Sequence, residues 1–142
     1  MSIIIIDTNV ISELLRPTPE PVVEAWLGEQ DSRSIYLTSI SEAELCYGAA
    51  ILPGGKRRDG LSVAIDRIMR DDMSGRILPF DSAAARIYAD IAATRRSAGK
   101  PISQADCLIA AIARAHNAPV ATRNTPDFEG CGIGLINPWA VE

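Results

Sequence analysis

Four consecutive isoleucines, Ile3 to Ile6, stop abruptly at Asp7. Isoleucine is branched at Cβ and favours extended backbone, so residues 2–6 read as a strand. The run is continuous rather than alternating. That predicts burial on both faces, as in a central strand of a parallel sheet covered by helices. The acid that ends it stands just before a helix, at the edge where α/β proteins place their ligands.

The remainder of the chain repeats the alternation. Thr8 or Asn9 opens a short helix that Pro17 stops, and a second helix runs over residues 19–30, started by Thr18-Pro19. Residues 34–38 form a strand, and Ser39 or Ser41 caps a helix reaching Leu52. Pro53-Gly54-Gly55 makes a loop, and residues 58–73 are helical. Strand 76–79, a helix from Asp81 to Ser97, a break at Gly99-Lys100-Pro101, and a helix from Ser103 to His116 follow. Short strands at 120–122 and 134–136 complete the pattern. Strands alternating with helices predict an α/β fold of three layers, a mostly parallel sheet flanked by helices. The 142 residues fit one domain, residues 1–142, without repeat or linker.

Hydrophobic residues at 47% and charged residues at 23% exclude disorder. No apolar run approaches the length of a membrane span, and no secretory signal is evident, so a cytoplasmic protein with no membrane contact is expected. Cys46, Cys107 and Cys131 lack zinc spacing. Cys46 and Cys107, among apolar helical neighbours, are expected to be small core residues. A net charge of −4 argues against non-specific nucleic-acid binding through a global basic field. Any such role needs a local patch or a bound cation.

Three acids stand where an apolar residue or a plain cap is expected. Asp7 ends the isoleucine strand, and Thr8 or Asn9 is available to cap the next helix in its place. Glu44 precedes Tyr47, Gly48 and Ile51 by three, four and seven residues, on a half-apolar face. Either Glu42 or Glu44 can complete a capping box, depending on whether Ser39 or Ser41 is the cap, and spacing alone leaves the other one free. Asp106 precedes Ile109, Ala110 and Ala113 at three, four and seven, on the face that packs against the sheet. It is either a capping partner of Ser103 or a ligand at a buried edge, and the ligand reading is preferred. Asp127 lies in a loop beyond a strand, within reach of the same edge.

Crowding carboxylates has a cost. Two unit charges at about 4 Å repel by about 4 kcal/mol at an effective dielectric near 20. A cluster therefore needs protons or a cation, and oxygen donors without His or Cys suit Mg²⁺ or Mn²⁺. Carboxylate-held Mg²⁺ works most often on phosphates.

The segments Ile5 to Glu13, Ala43-Glu44-Leu45 before Gly48, and Ala105 to Ala111 resemble the three signatures of PIN-domain nucleases. The stretch Val120 to Phe128 and the ending Asn137-Pro138-Trp139 are similar too. The resemblance covers the whole chain in order and points to the VapC-type toxins of toxin–antitoxin pairs, FitB-like members included. It implies a single-stranded ribonuclease needing Mg²⁺ or Mn²⁺, restrained by a small antitoxin. Carried over by position, Asp7, Glu44 and Asp106 match the family's acids, which decides for Glu44 over Glu42. Some members have a fourth acid where Asn124 stands here, so either Asn124 hydrogen-bonds a metal-bound water or Asp127 substitutes as a ligand.

Two rivals come from other classes. A metal-dependent phosphohydrolase of the dehalogenase type needs a second Asp where Asn9 stands and a later Lys, and only Lys56 and Lys100 exist. A non-catalytic interaction module would bind a partner's Arg through the same acids. For the nuclease, Arg95, Arg96, Lys100 and Arg123 form the expected RNA-docking patch. The apolar helices at 19–30 and 58–73 predict a homodimer. An antitoxin is expected to plug the acids with an Arg or an apolar helix along Trp26, in a complex that can grow larger.

Overall fold

Ile5 and Ile6 are both buried yet belong to different cores, because successive residues of a strand face opposite ways. The computed structural model describes residues 2–140. The chain runs β1 (Ile4–Ile6), α1 (Thr8–Leu14), α2 (Pro21–Gly28), β2 (Ile35–Thr38), α3 (Ser39–Ala50), α4 (Lys56–Arg67) and β3 (Ile77–Leu78). It continues through α5 (Ser82–Ser97), α6 (Gln104–Ala115), β4 (Val120–Ala121) and β5 (Leu135–Ile136). The sheet order is β3-β2-β1-β4-β5 and every pair is parallel, with Ile5 opposite Tyr36 on one side and Val120 on the other.

This is the expected three-layer α/β fold. On one face Ile5 and Val120 pack with Ala84, Ile91, Ile109, Ile112 and Phe128, which brings α5 and α6 onto the sheet. On the other, Ile6 and Leu37 pack with Val10, Val23, Trp26, Leu45 and Ile65 from α1 to α4. The chain adds β2 and β3 on one side of β1, then crosses to add β4 and β5 on the other. The order therefore reverses between β1 and β4. That reversal opens a crevice at the carboxyl ends of the two strands.

Several local expectations shift. Pro21, not Pro19, occupies the first turn of α2, since the Glu13 carboxylate accepts the Glu20 N–H at 3.0 Å and ties the preceding turn. The cap of α3 is Thr38, whose hydroxyl accepts the Ser41 N–H, so neither Ser39 nor Ser41 caps it. The helix expected to 73 ends at Arg67 and passes into a π-helical turn over Ile68–Asp72. Asp81 and Ser103 cap α5 and α6 as anticipated, and Gly99 with φ +72 follows the end of α5. Cys107 is buried, but Cys46 is exposed, on the outer face of α3, and is not a core residue. Trp26 is buried in the second core, so α2 offers no large free apolar face.

Arg95 is the largest correction. It is buried, and its Nε donates to the Lys100 carbonyl at 2.7 Å. Its Nη1 donates to the carbonyls of Asp127 and Glu129 at 2.9 and 2.8 Å. The guanidinium thus fastens the loop after β4 to the end of α5, buried and outside the cleft lining. Replacing it leaves three part-buried carbonyls without this donor. Arg95→Met is expected to lose about 2–4 kcal/mol in urea unfolding. Arg95→Lys should recover only part of this, because one ammonium cannot span the carbonyls, and exposed Arg96→Ala should change stability by less than about 0.5 kcal/mol.

Candidate active site

The crevice between β1 and β4 holds Asp7. Its backbone N–H donates to the Ala121 carbonyl at 2.9 Å, which fixes the residue one step beyond the paired strands. The carboxylate is 5% exposed. Oδ1 accepts the Thr8 N–H at 2.8 Å, so Asp7 itself caps α1. Oδ2 accepts the Thr122 hydroxyl at 2.8 Å and the Asn9 side-chain amide at 3.3 Å. Capping and cleft duty coexist in one side chain.

Two further acids arrive on separate helices. Glu44 on α3 is exposed, on a face it shares with exposed Tyr47 and Ile51. Its Oε1 accepts the Thr8 hydroxyl at 2.7 Å, and that hydroxyl stands 2.9 Å from the Ser41 Oγ. A threonine hydroxyl has one proton, so Thr8 donates to the carboxylate and accepts from Ser41. Asp106 on α6 is half-buried, one turn after Ser103, whose Oγ accepts the Asp106 N–H at 3.3 Å. The capping relation is therefore real, and the Asp106 carboxylate still lines the cleft.

The cleft has a volume of about 520 Å³ and is lined by Asp7, Glu44, Asp106, Arg123 and Asn124 among others. Asp127 is exposed and outside this lining, although its charge raises the Asp106 carboxyl. The Asn124 N–H donates to the Thr122 hydroxyl at 3.1 Å. Arg96 and Lys100 are exposed but do not line the cleft, and Arg95 is committed elsewhere. Sequence reasoning assigned no site role to Thr122, Glu13, Arg16 and Trp139, and offered Asn9 only as a helix cap. Glu13 meets the criterion that singled out Asp106, an acid on an apolar helix face, and that criterion would have found it.

Burial sets the electrostatics. Desolvation pushes the Asp7 carboxyl up to about 6, against the hydrogen bonds from Thr122 and Thr8, and the charges of Asp106 and Glu44 raise it further. Asp106 is raised chiefly by desolvation too, against its Ser103 hydrogen bond, with Asp127 and Glu44 adding repulsion. The donor set is all oxygen. Among the described residues no three acidic, imidazole or thiol side chains stand close enough to close a full protein cage. Mg²⁺ commonly keeps several waters and takes one or two carboxylates, so these residues fit such a cation.

Comparison with known proteins identifies the family. A family model of the PIN domain matches residues 4–129, and the chain belongs to that family. It is 46% identical over 136 residues to VapC ribonuclease Y4jK of Sinorhizobium fredii, covering 96% of this chain and 97% of that protein. Toxin FitB of Neisseria gonorrhoeae is 43% identical, with 96% and 98% covered. Among solved structures, FitAB bound to an IR36 DNA fragment superimposes with a TM-score of 0.93 at 42% identity, covering 99% of this chain and 98% of that chain.

The raised Asp7 carboxyl carries a stability cost. Between pH 3.8 and about 6 the folded protein keeps a proton that the unfolded chain has released. Stability therefore falls as pH rises through that window, by about 3 kcal/mol at most. Asp7→Asn has no such term. In metal-free buffer, its stability relative to the parent is expected to improve by about 2–3 kcal/mol between pH 4 and pH 8, measured by urea unfolding at both.

Proposed function

We propose that the chain is a Mg²⁺- or Mn²⁺-dependent endoribonuclease that cuts single-stranded RNA, the toxin of a toxin–antitoxin pair acting in the cytoplasm. The observation that carries this reading is the buried Asp7 at the strand-order reversal, with Glu44 and Asp106 close enough to raise its pKa. The relative from Sinorhizobium fredii is named a ribonuclease, which supports the same activity here.

In this reading Asp7, Glu44 and Asp106 would hold the cation, one or two of them directly and the rest through its waters, and it would supply charge stabilisation on the phosphodiester and a more acidic water. The protein's own work is orientation and proton handling. Thr122 and Asn9 hold one oxygen of Asp7, and Thr8 with Ser41 holds one oxygen of Glu44. Asp106, which burial makes more basic, would in its ionised form take a proton from the attacking water. Asn124 lines the cleft as a neutral donor and acceptor in the position of the fourth acid, with Asp127 contributing charge from outside. Arg123 is the member of the expected docking patch that lines the cleft.

The partner is a small antitoxin, a reading supported by the relative named Toxin FitB and by the likeness to FitAB. Beside the acid cleft lies a groove of about 630 Å³ between α1, α3 and α4, with Leu45, Leu52, Leu61 and Ile65 in its walls. It shares Thr8 and Glu44 with the cleft, so an apolar helix seated there can reach an Arg to the acids. This groove replaces Trp26 as the apolar surface. The chain pairs with a second copy through the side of α3 and α4 where Tyr47, Ile51 and Val63 are 60–67% exposed, and larger complexes form with antitoxin.

Mapping RNA 5′ ends after expression tests the activity. Asp7→Asn and Asp106→Asn are each expected to lower cleavage about a hundredfold or more with an unchanged circular dichroism spectrum. Unaltered cleavage in either variant refutes the assignment. If the cation needs ionised Asp7, cleavage by the parent should fall about tenfold per pH unit below about 6, and raising Mg²⁺ should shift that limb to lower pH.

A further inference from the structure

Glu13 is a buried acid in the wall of the cleft that the reading above leaves without a role. It is 5% exposed, on the apolar face of α1 beside Val10 and Ile11. Its carboxylate accepts the Glu20 N–H at 3.0 Å and two bonds from Nη1 of Arg16, at 3.0 and 3.2 Å. Arg16 itself is 59% exposed. Its remaining guanidinium nitrogens make no hydrogen bond among the described residues. Arg16 lines both the acid cleft and the neighbouring groove, so it stands where the two openings meet. The field of Glu13 also reaches Arg123, whose guanidinium lies 5.3 Å from the centre of the Trp139 ring. The Glu20 N–H first, and then Arg16, hold the Glu13 carboxyl below its ordinary value against desolvation, so it stays ionised and keeps the guanidinium in place.

We infer that Arg16, oriented by Glu13 and sharing the cleft lining with Arg123, is an RNA phosphate contact beside the acid site. The inference rests on the ribonuclease reading and extends it to how the strand is held. A guanidinium fork with one edge tied to Glu13 presents its other edge to a phosphate in a fixed direction. An extended phosphodiester strand suits the cleft, since one phosphate meets the rim while a neighbour lies over the acids. Glu13 is a positioning residue in this scheme and touches no substrate.

The test uses the full chain carrying Asp7→Asn, with Mg²⁺, and a short fluorescein-labelled single-stranded RNA of mixed sequence followed by anisotropy. Adding Arg16→Ala is expected to weaken binding about tenfold and to reduce the salt slope by about 0.7. Arg16→Lys should keep the slope but not the full affinity. Glu13→Ala should weaken binding although it removes a negative charge, and Glu13→Gln, which keeps an acceptor for the Glu20 N–H and for Arg16, should restore most of it. Tighter binding by Glu13→Ala overturns the positioning role, because it marks Glu13 as a repelling charge only. An unchanged affinity and slope in Arg16→Ala overturns the phosphate contact while leaving the ribonuclease reading intact. Loss of a labelled oligoglutamate peptide by Arg16→Ala, with RNA binding untouched, overturns it in favour of an acidic protein partner. If the parent chain neither cleaves nor binds RNA, the ribonuclease reading falls and the inference with it.

Discussion

Everything near the cleft depends on keeping one carboxylate, Asp7, out of water at the junction of two parallel strands. Three donors hold it, the Thr8 backbone, the Thr122 hydroxyl and the Asn9 amide, and they come from both sides of the strand-order reversal. Hydrogen bonds to the charged form lower its pKa, yet desolvation outweighs them and the value rises to about 6. The fold thus spends stability on a group that a neutral residue would fill at less cost. Such local conflicts with the requirements of folding concentrate at functional sites. The cost is contained because the conflict sits at the sheet edge, while β1 itself is buried among apolar residues on both faces.

The parts of the fold legible in the sequence were those governed by near neighbours. The isoleucine run identified a central strand because continuous apolar character has few other meanings. Asp81 and Ser103 were legible as caps because each bonds an N–H three residues ahead. Thr38 was not, since β2 passes into α3 with no loop between and the cap is also the last strand residue. Glu44 was undecidable by spacing, because the face it shares with Tyr47 and Ile51 is exposed and carries no burial signal. Arg95 failed for a deeper reason. Its partners are backbone carbonyls up to 34 residues away, and a carbonyl has no sequence signature. The Asp7–Thr122 bond spans 115 residues and only topology brings it about.

The neighbouring groove and the acid cleft share a wall, Thr8, Ser12, Arg16 and Glu44. This places apolar surface and paired charges of both signs within one continuous concavity. An occupant of the groove therefore changes the field felt by the acids, and charge bound at the acids changes the rim of the groove. Two ligands that meet at such a wall are coupled, and the coupling is reciprocal by thermodynamic necessity.

A net charge of −4 would seem to disqualify a chain from holding RNA, but the argument fails on range. Charges on the far surface are screened over about 8 Å at physiological salt, so the local balance decides. Four carboxylates, Asp7, Glu13, Glu44 and Asp106, and two guanidiniums, Arg16 and Arg123, line the cleft. With all ionised, two negative charges stand in surplus. One divalent cation brings the lining, its two arginines included, to zero net charge, so an incoming phosphate no longer meets a negative surplus. Without the cation the surplus repels the strand, and an incoming guanidinium offsets only half of it. The same count that makes the empty cleft hostile to RNA makes it receptive to a cation, and so ties substrate affinity to whatever occupies the acids.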